Sequence, residues 1–335
     1  MKLLVTGGAG FIGSNFIRHM LEKYPDCEVL NLDKLTYAGN LDNLKDVSSI
    51  SRYSFVRGDI VDRGFVHDIL GRGFDIVVNF AAESHVDRSI LDSSPFVQTN
   101  VQGTQALLEG IKQHPVKLFI QVSTDEVYGS VEGDRESVEE SLLLPNSPYA
   151  ASKAAADLLC RAYRQTYGLP IIITRCSNNY GPFQFPEKLI PLVVTNALED
   201  KEIPVYGDGL NVRDWIHVED HCLAIDCVIQ ASRPGEIYNV GAGNERTNLE
   251  LVRKILGIMR KPESLIKFVS DRPGHDWRYA LETTKIMREL GWKPIHSFDE
   301  ALARTVIWYT QNEGWWRQIK SGEYLQYYEG MYAGR

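Results

Sequence analysis

Short apolar runs alternate with amphipathic stretches through the first half of the chain, the rhythm of βαβ units. The runs Lys2–Thr6, Val29–Asp33, Ser54–Asp59, Ile76–Ala81, Lys117–Ser123 and Ile171–Arg175 are apolar along most of their length. Strands of a parallel sheet look like this when helices cover both faces. Between them, apolar spacing predicts helices over about Ser14–Tyr24, over Pro95–Gln113 and over Pro148–Tyr167. In the second of these, Val97, Val101, Thr104, Leu107, Leu108 and Ile111 fall near the helical repeat. After the sixth strand the rhythm breaks into shorter segments punctuated by Gly181-Pro182, Pro186, Pro191, Pro204, Gly207 and Gly209. The expected fold is α/β, a doubly wound parallel sheet followed by a smaller α/β region.

Composition narrows the setting. A chain of 335 residues can bury a large core, and its net charge of -8 argues against a general nucleic-acid binder. Cys27, Cys160, Cys176, Cys222 and Cys227 are scattered, with no paired spacing, so reduced and mostly buried thiols are expected and no metal site. The chain starts on a strand and has no apolar run long enough to span a bilayer, so neither a signal peptide nor a membrane partner is expected. A cytoplasmic protein fits. The aromatic residues Trp308, Trp315, Trp316, Tyr324, Tyr327 and Tyr328 read as a packed C-terminal helix and a partner-facing tail rather than a base-stacking site.

The run from Gly7 through Gly8, Ala9, Gly10, Phe11 and Ile12 to Gly13 follows the first strand and opens the first helix. Glycines there allow a tight turn and close approach of the backbone to a pyrophosphate, which the helix N-terminus attracts. Asp33 ends the second strand 20 residues after Gly13, placed to accept from both ribose hydroxyls and to repel a 2′-phosphate. The pattern is a Rossmann site for NAD, with Lys34, Leu35 and Thr36 beside Asp33. Asp59 and Ile60 at the third strand end, Phe80, Ala81, Ala82, Glu83 and Ser84 at the fourth, and Thr99 and Asn179 further on extend the candidate cofactor set.

Tyr149 and Lys153 stand one helical turn apart. Oxidising an alcohol requires a base for its hydroxyl proton, and an ammonium beside a phenol favours the phenolate. With the glycine run and Ser123-Thr124, this pair resembles the extended short-chain dehydrogenase/reductase family over essentially the whole chain. The segments Ser123-Thr124-Asp125-Glu126-Val127-Tyr128-Gly129, Ala82-Glu83-Ser84-His85-Val86-Asp87 and Asp271-Arg272-Pro273-Gly274-His275-Asp276 are similar to those of nucleoside-diphosphate-sugar 4,6-dehydratases.

That resemblance implies a reaction on a nucleotide sugar, with dTDP-glucose as the expected partner and NAD tightly bound and recycled. Tyr149 would be the base at C4 with Thr124 on its oxygen, Glu126 would take the C5 proton, and Asp125 would protonate the departing C6 hydroxyl. Substrate candidates are Ser84, Thr124, Asn178, Lys188, Leu189, Pro204, Val205, Tyr206, Arg213, Asn248, Asp271, Arg272 and His275. Arg213 is favoured for a diphosphate because a guanidinium binds phosphate with two parallel bonds. Asn248 reads as either a helix cap or a ligand, and His85 and His217 as structural histidines. Residues 1–176 with roughly 212–240 are expected to form the NAD domain, and 177–211 with 241–335 the substrate domain. A homodimer through the helices Pro95–Gln113 and Pro148–Tyr167 is implied by the family. The base stays open between thymidine, uridine and another nucleotide. A 4-epimerase or a uronic-acid decarboxylase of the same family, or a binding protein that lost catalysis, are the rival readings.

Overall fold

In the computed structural model, which describes residues 1–321 together with 328 and 330, the apolar runs become strands. They are β1 (Lys2–Thr6), β2 (Glu28–Asp33), β3 (Tyr53–Arg57), β4 (Ile76–Asn79), β5 (Leu118–Thr124), β6 (Ile171–Cys176), β7 (Asn178–Tyr180), β8 (Ile203–Tyr206), β9 (Val212–His217), β10 (Ile237–Val240), β11 (Glu245–Thr247) and β12 (Ile266–Val269). Seven of them form one sheet in the order β10-β6-β5-β4-β1-β2-β3, every pairing parallel. The strand order reverses between β1 and β4. In such sheets a ligand crevice opens there, beyond the carboxyl ends of the strands.

Both faces are covered, which is why the strands are apolar throughout. Leu3, Val5, Val78 and Ile120 point to a core shared with Phe16, Ile17 and Ile225. Leu4, Val77 and Phe119 point the other way, against Leu107, Ile111 and Cys160. The helices are those expected, with shifted bounds. The first begins at Phe11, because Gly10 already occupies its cap position. Pro148–Tyr167 matches its expected span, with the Ser147 hydroxyl accepting from the Ala150 N–H and Pro148 in the first turn. The stretch over residues 95–113 is helical but not uniformly α: Val97–Gly103 winds as a π-helix between Ser94–Phe96 and Thr104–Gln113. β3 and β4 stop at Arg57 and Asn79, before the expected ends at Asp59 and Ala81, which lie in the loops above the sheet.

The remaining strands make two small sheets, β11-β9-β7 and β12-β8. A second core there gathers Tyr180, Val193, Trp215, Leu251, Ile255, Leu302, Tyr309 and Trp316. Trp316 is fully buried and the indole of Trp315 donates to Asn43 Oδ1, so these C-terminal aromatics pack rather than stack on a ligand. Tyr328 accepts from the Asn196 amide; Tyr324 and Tyr327 lie outside the described residues. All five cysteines are free thiols, four of them buried. Among the described residues no helix is long and apolar enough to cross a membrane.

Candidate active site

A single cleft runs over the carboxyl ends of β1, β2, β4 and β5. At its floor Gly7 has φ of 69°, a left-handed value, and a Cβ there would lie 2.6 Å from the Ala81 nitrogen. A Cβ on Gly13 would lie 2.4 Å from the Gly7 carbonyl. Gly10 differs: its added Cβ would meet only the Gly7 carbonyl, at 3.3 Å. What glycine leaves open at Gly10, a lining residue, is cleft space. No side chain caps the helix at Gly10, so its first N–H groups remain available to an anion. This cradle, shaped by three missing side chains, fits a dinucleotide.

Asp33 is nearly buried, with one oxygen accepting from the Ala9 N–H at 2.9 Å and the other from the Leu35 N–H at 2.8 Å. Burial raises its pKa against those two bonds, which favour the anion. Asp33 therefore fixes the glycine loop as well as lining the cleft. Lys34 pairs with Asp59 at 2.7 Å. Phe11, Ile12, Lys34, Thr36, Asp59, Ile60, Phe80, Ala81, Ala82, Glu83, Ser84 and Thr99 all line the cleft, and Leu35 does not. Its left-handed φ of 57° turns the chain so that it serves Asp33 with its N–H instead.

Toward β5 the cleft is lined by Thr124, Asp125, Glu126, Tyr149 and Lys153. The sequence scatters them over a strand end and a helix start; packing brings them together. The π-helical turn places Asn100 between two elements: its amide donates to Glu83 O and to Ser152 Oγ, and its carbonyl accepts from Glu83 N–H. That clamp ties the β4 loop to the helix bearing Tyr149, a use typical of π turns at functional sites. Below the turn Asp125–Tyr128, Arg175 bonds both Asp157 and the Tyr128 hydroxyl in a buried network.

Thr124 donates to Asp125 Oδ1 at 3.1 Å and accepts from the Glu126 N–H. The second oxygens, Asp125 Oδ2 and Glu126 Oε2, are buried without a hydrogen-bond partner. Burial first, and then the Glu126 charge, hold the Asp125 carboxyl well above the usual range. Glu126 is also raised by burial, but Arg272, Lys188 and Arg213 pull against it. Two adjacent carboxyls thus sit in environments that separate an acid from a base.

The Tyr149 phenol stands well above its ordinary value, through burial and the Glu126 charge, while a bond with Thr124 works the other way. Lys153 is buried and donates to the Val122 carbonyl at 2.7 Å; burial lowers its pKa, with Asp157 opposing. Thr124 thus favours the Tyr149 phenolate, while Lys153 is held on the Val122 carbonyl.

The sugar-side candidates divide. Asn178 and Lys188 line the cleft; Asn178 Oδ1 has no partner and Lys188 donates to Ser84 O. Asn179 lines it too, but its amide is tied to Ser177 O and to His221. Leu189, Pro204, Val205, Tyr206, Arg213, Asn248, Asp271, Arg272 and His275 lie outside the cleft lining. Several of these still converge beside it around buried Asp87, which receives the Tyr206 hydroxyl at 3.2 Å and lies 3.7 Å from Arg272. His275 pairs with Asp271 at 2.7 Å. Arg213 stacks over the Tyr279 ring and donates to three main-chain carbonyls, of Val212, Asp276 and Trp277. The Val205 side chain belongs to the second core, leaving only its backbone for a ligand. Asn248 is not a cap: Thr247 caps that helix in a reciprocal box with Glu250, and the Asn248 N–H bonds Asn211 O.

Sequence reasoning passed over Gln184, Phe185 and Glu187, which line the cleft, and Asp87. Glu187 accepts from Tyr37 at 2.9 Å and from Arg88 at 3.2 Å. The one signal was its place next to Lys188.

Comparison with known proteins agrees with this geometry. The family model described as GDP-mannose 4,6 dehydratase matches residues 4–305. A dTDP-glucose 4,6-dehydratase of Streptomyces niveus is 51% identical over 326 residues, covering 96% of both chains. The crystal structure of a dTDP-glucose 4,6-dehydratase from Streptomyces venezuelae with NAD bound superposes with a TM-score of 0.93 at 55% identity, over 96% of this chain and 100% of that one. A UDP-glucuronic acid 4-epimerase of Bacillus cereus, in complex with UDP-glucuronic acid and NAD, follows at 29% identity and TM-score 0.87, over 93% and 99%.

Proposed function

Because the chain belongs to the family described as GDP-mannose 4,6 dehydratase, we propose that it converts dTDP-glucose to its 4-keto-6-deoxy product with loss of water. The carrying observation is the Asp125–Glu126 pair, two neighbouring carboxyls with open oxygens at the same cleft as Tyr149. An enzyme that only inverts C4 has no use for a second acid and base.

The protein is an NAD-dependent hydro-lyase. Bound along the glycine cradle, NAD would supply the acceptor for the C4 hydride and the donor that returns it to C6 while a proton adds back at C5. Gly7, Gly10 and Gly13 would hold its pyrophosphate at the helix N-terminus, and Asp33 would take the ribose hydroxyls. Thr124 holds the C4 oxygen while Tyr149 takes its proton, and Lys153 fixes the nicotinamide ribose. The new ketone acidifies the C5 proton, which Glu126 removes. Asp125, kept protonated by burial, gives its proton to the C6 hydroxyl as water leaves. Lys188, Arg213 and Arg272 meet the diphosphate, and their charges oppose the burial that raises Glu126. Tyr206 and His275 face the base, which we assign to thymine on the strength of the relatives.

Residues 1–176 with about 212–240 form the NAD lobe and 177–211 with 241–335 the sugar-nucleotide lobe. In support, β10 completes the central sheet and the helix Val218–Ala231 packs on Phe11–Lys23; β9 bridges the lobes by pairing with β7 and β11. Exposed Val97 and Leu158 on the helical stretches 94–113 and 148–167 suit a cytoplasmic homodimer, which sedimentation would test. The reaction is tested by NMR of dTDP-glucose with the enzyme in deuterated water. The reading predicts a 4-keto-6-deoxy sugar with deuterium at C5; a product without deuterium there, or C4 inversion alone, overturns it.

A further inference from the structure

Outside the cleft lining, His217 ends β9, Glu219 lies in the first turn of the helix Val218–Ala231, and His296 comes from the loop before the helix Phe298–Gln311. His296 Nε2 stands 2.9 Å from Glu219 Oε2, and His217 Nδ1 stands 3.7 Å from the same oxygen. All three donor atoms lie within 4.8 Å of one another.

Two acidic residues at a helix start need no ligand to explain them, and with His296 they would make an ordinary charge cluster. His217 does not fit that account. Its side chain is 4% exposed, yet Nδ1 has no hydrogen-bond partner. A buried orphan of this kind costs about 1–3 kcal/mol unless something satisfies it. That nitrogen faces Glu219 Oε2 across 3.7 Å, beyond hydrogen-bond reach. His296 is oriented as metal-bound histidines are: Nδ1 meets Asp220 Oδ1 at 2.9 Å, and Asp220, itself buried, also accepts from the Ile295 and His296 N–H groups. That second contact turns Nε2 toward Glu219.

We propose that His217, Glu219 and His296 form a binding site for a divalent transition metal of the zinc class, oriented by Asp220. Ligands about 2.0–2.2 Å from a tetrahedral zinc stand roughly 3.3 Å apart, and the separations of 2.9 and 3.7 Å bracket that value. Two imidazoles and one carboxylate suit zinc, cobalt or nickel rather than magnesium or calcium. Arg304 places a positive charge near His217, and the carboxylates of Glu219 and Asp220 oppose it. The site joins the end of β9 to a loop about 80 residues later in the chain, so its role is to tether that loop and not to take part in the sugar chemistry.

The test uses full-length enzyme with its NAD, stripped of metals by chelator and titrated with cobalt(II), then with zinc. One cobalt per chain with a tetrahedral visible spectrum, displaced by zinc, and a raised unfolding temperature with either ion are expected. Glu219→Gln, a change at a half-exposed surface position, should weaken cobalt affinity at least about 100-fold, and Asp220→Asn about 10- to 100-fold, with dehydratase activity unchanged in Glu219→Gln. Absence of cobalt binding to the wild type overturns the proposal. So does equal cobalt binding by Glu219→Gln and His296→Gln.

Discussion

In the proposed reading, the two ends of the site would recognise their ligands by different means. At the cofactor end the backbone does the work: three glycines and a bare helix N-terminus, with Asp33 spending both oxygens on main-chain N–H groups. At the sugar-nucleotide end the work falls to side chains, with Lys188, Arg213 and Arg272 arriving from three separate segments to act on Glu126. Backbone recognition is built into one stretch of chain and one turn. Side-chain recognition depends on how distant segments fold together, and it also sets the protonation of the catalytic carboxyls lying between the two ends.

The sharpest way to test that division is at the residue between them. Tyr149→Phe removes the base but none of the backbone cradle. Turnover should fall by about 10²- to 10⁴-fold, the usual worth of a positioned acid–base group, with no transient NADH absorbance. Bound NAD per chain should stay as in the wild type. If NAD is lost with the hydroxyl, the cofactor end depends on side chains more than the geometry says.

Glu126→Gln probes the other direction. C4 oxidation needs only Tyr149 and Thr124, so NADH should accumulate in a single turnover, while dehydration falls about 100-fold or more and C5 exchange with deuterated solvent disappears. Unchanged C5 exchange would assign that proton to another group.

A pair of variants then compares the ends directly. Gly10→Ala meets no clash in the fold beyond the Gly7 carbonyl, but its methyl points into the cleft. It should weaken NAD about tenfold or more, roughly 1.4 kcal/mol, with little loss of stability. Arg272→Ala should raise the KM for dTDP-glucose about 10- to 100-fold, the scale of a lost charge-assisted bond, with kcat less affected. Only the second effect should shrink as salt is added, because ions screen the guanidinium and not a row of N–H groups. Equal salt dependence would erase the distinction.

The same contrast explains what could be read from sequence. Gly7, Gly10, Gly13 and Asp33 were legible because a backbone site has a contiguous pattern with a fixed spacing. Tyr149 and Lys153 were legible as a helical pair, and their spacing suggested that the ammonium acidifies the phenol. Packing also holds Lys153 on the Val122 carbonyl and sets Thr124 beside Tyr149, contacts that no spacing foretold. Asp87 stood in a family-like segment without a role and Glu187 in none, since each acts through partners distant in the chain: Tyr206 and Arg272 for the first, Tyr37 and Arg88 for the second. The π turn that places Asn100 was hidden because its residues follow ordinary helical spacing. The left-handed turn at Leu35 was hidden because nothing local foretold it.

The smallest effect concerns stability, and its sign is informative. The Asp125 carboxyl has a folded pKa raised well above its unfolded value by burial and by Glu126. The folded state therefore holds that proton more tightly. Its contribution to stability is complete below the ordinary carboxyl range and is lost as pH rises through the folded value. Asn in its place keeps the shape and cannot ionise. Asp125→Asn should therefore match the wild type near pH 4 and become more stable than it, by on the order of 1 kcal/mol, as pH rises beyond the usual carboxyl range, while dehydration is largely lost. Unfolding temperatures of both proteins across that interval would show the gap widen with pH. A gap that stayed flat, or that favoured the wild type at high pH, would mean that Asp125 is ionised in the folded enzyme and cannot be the group that protonates the C6 hydroxyl.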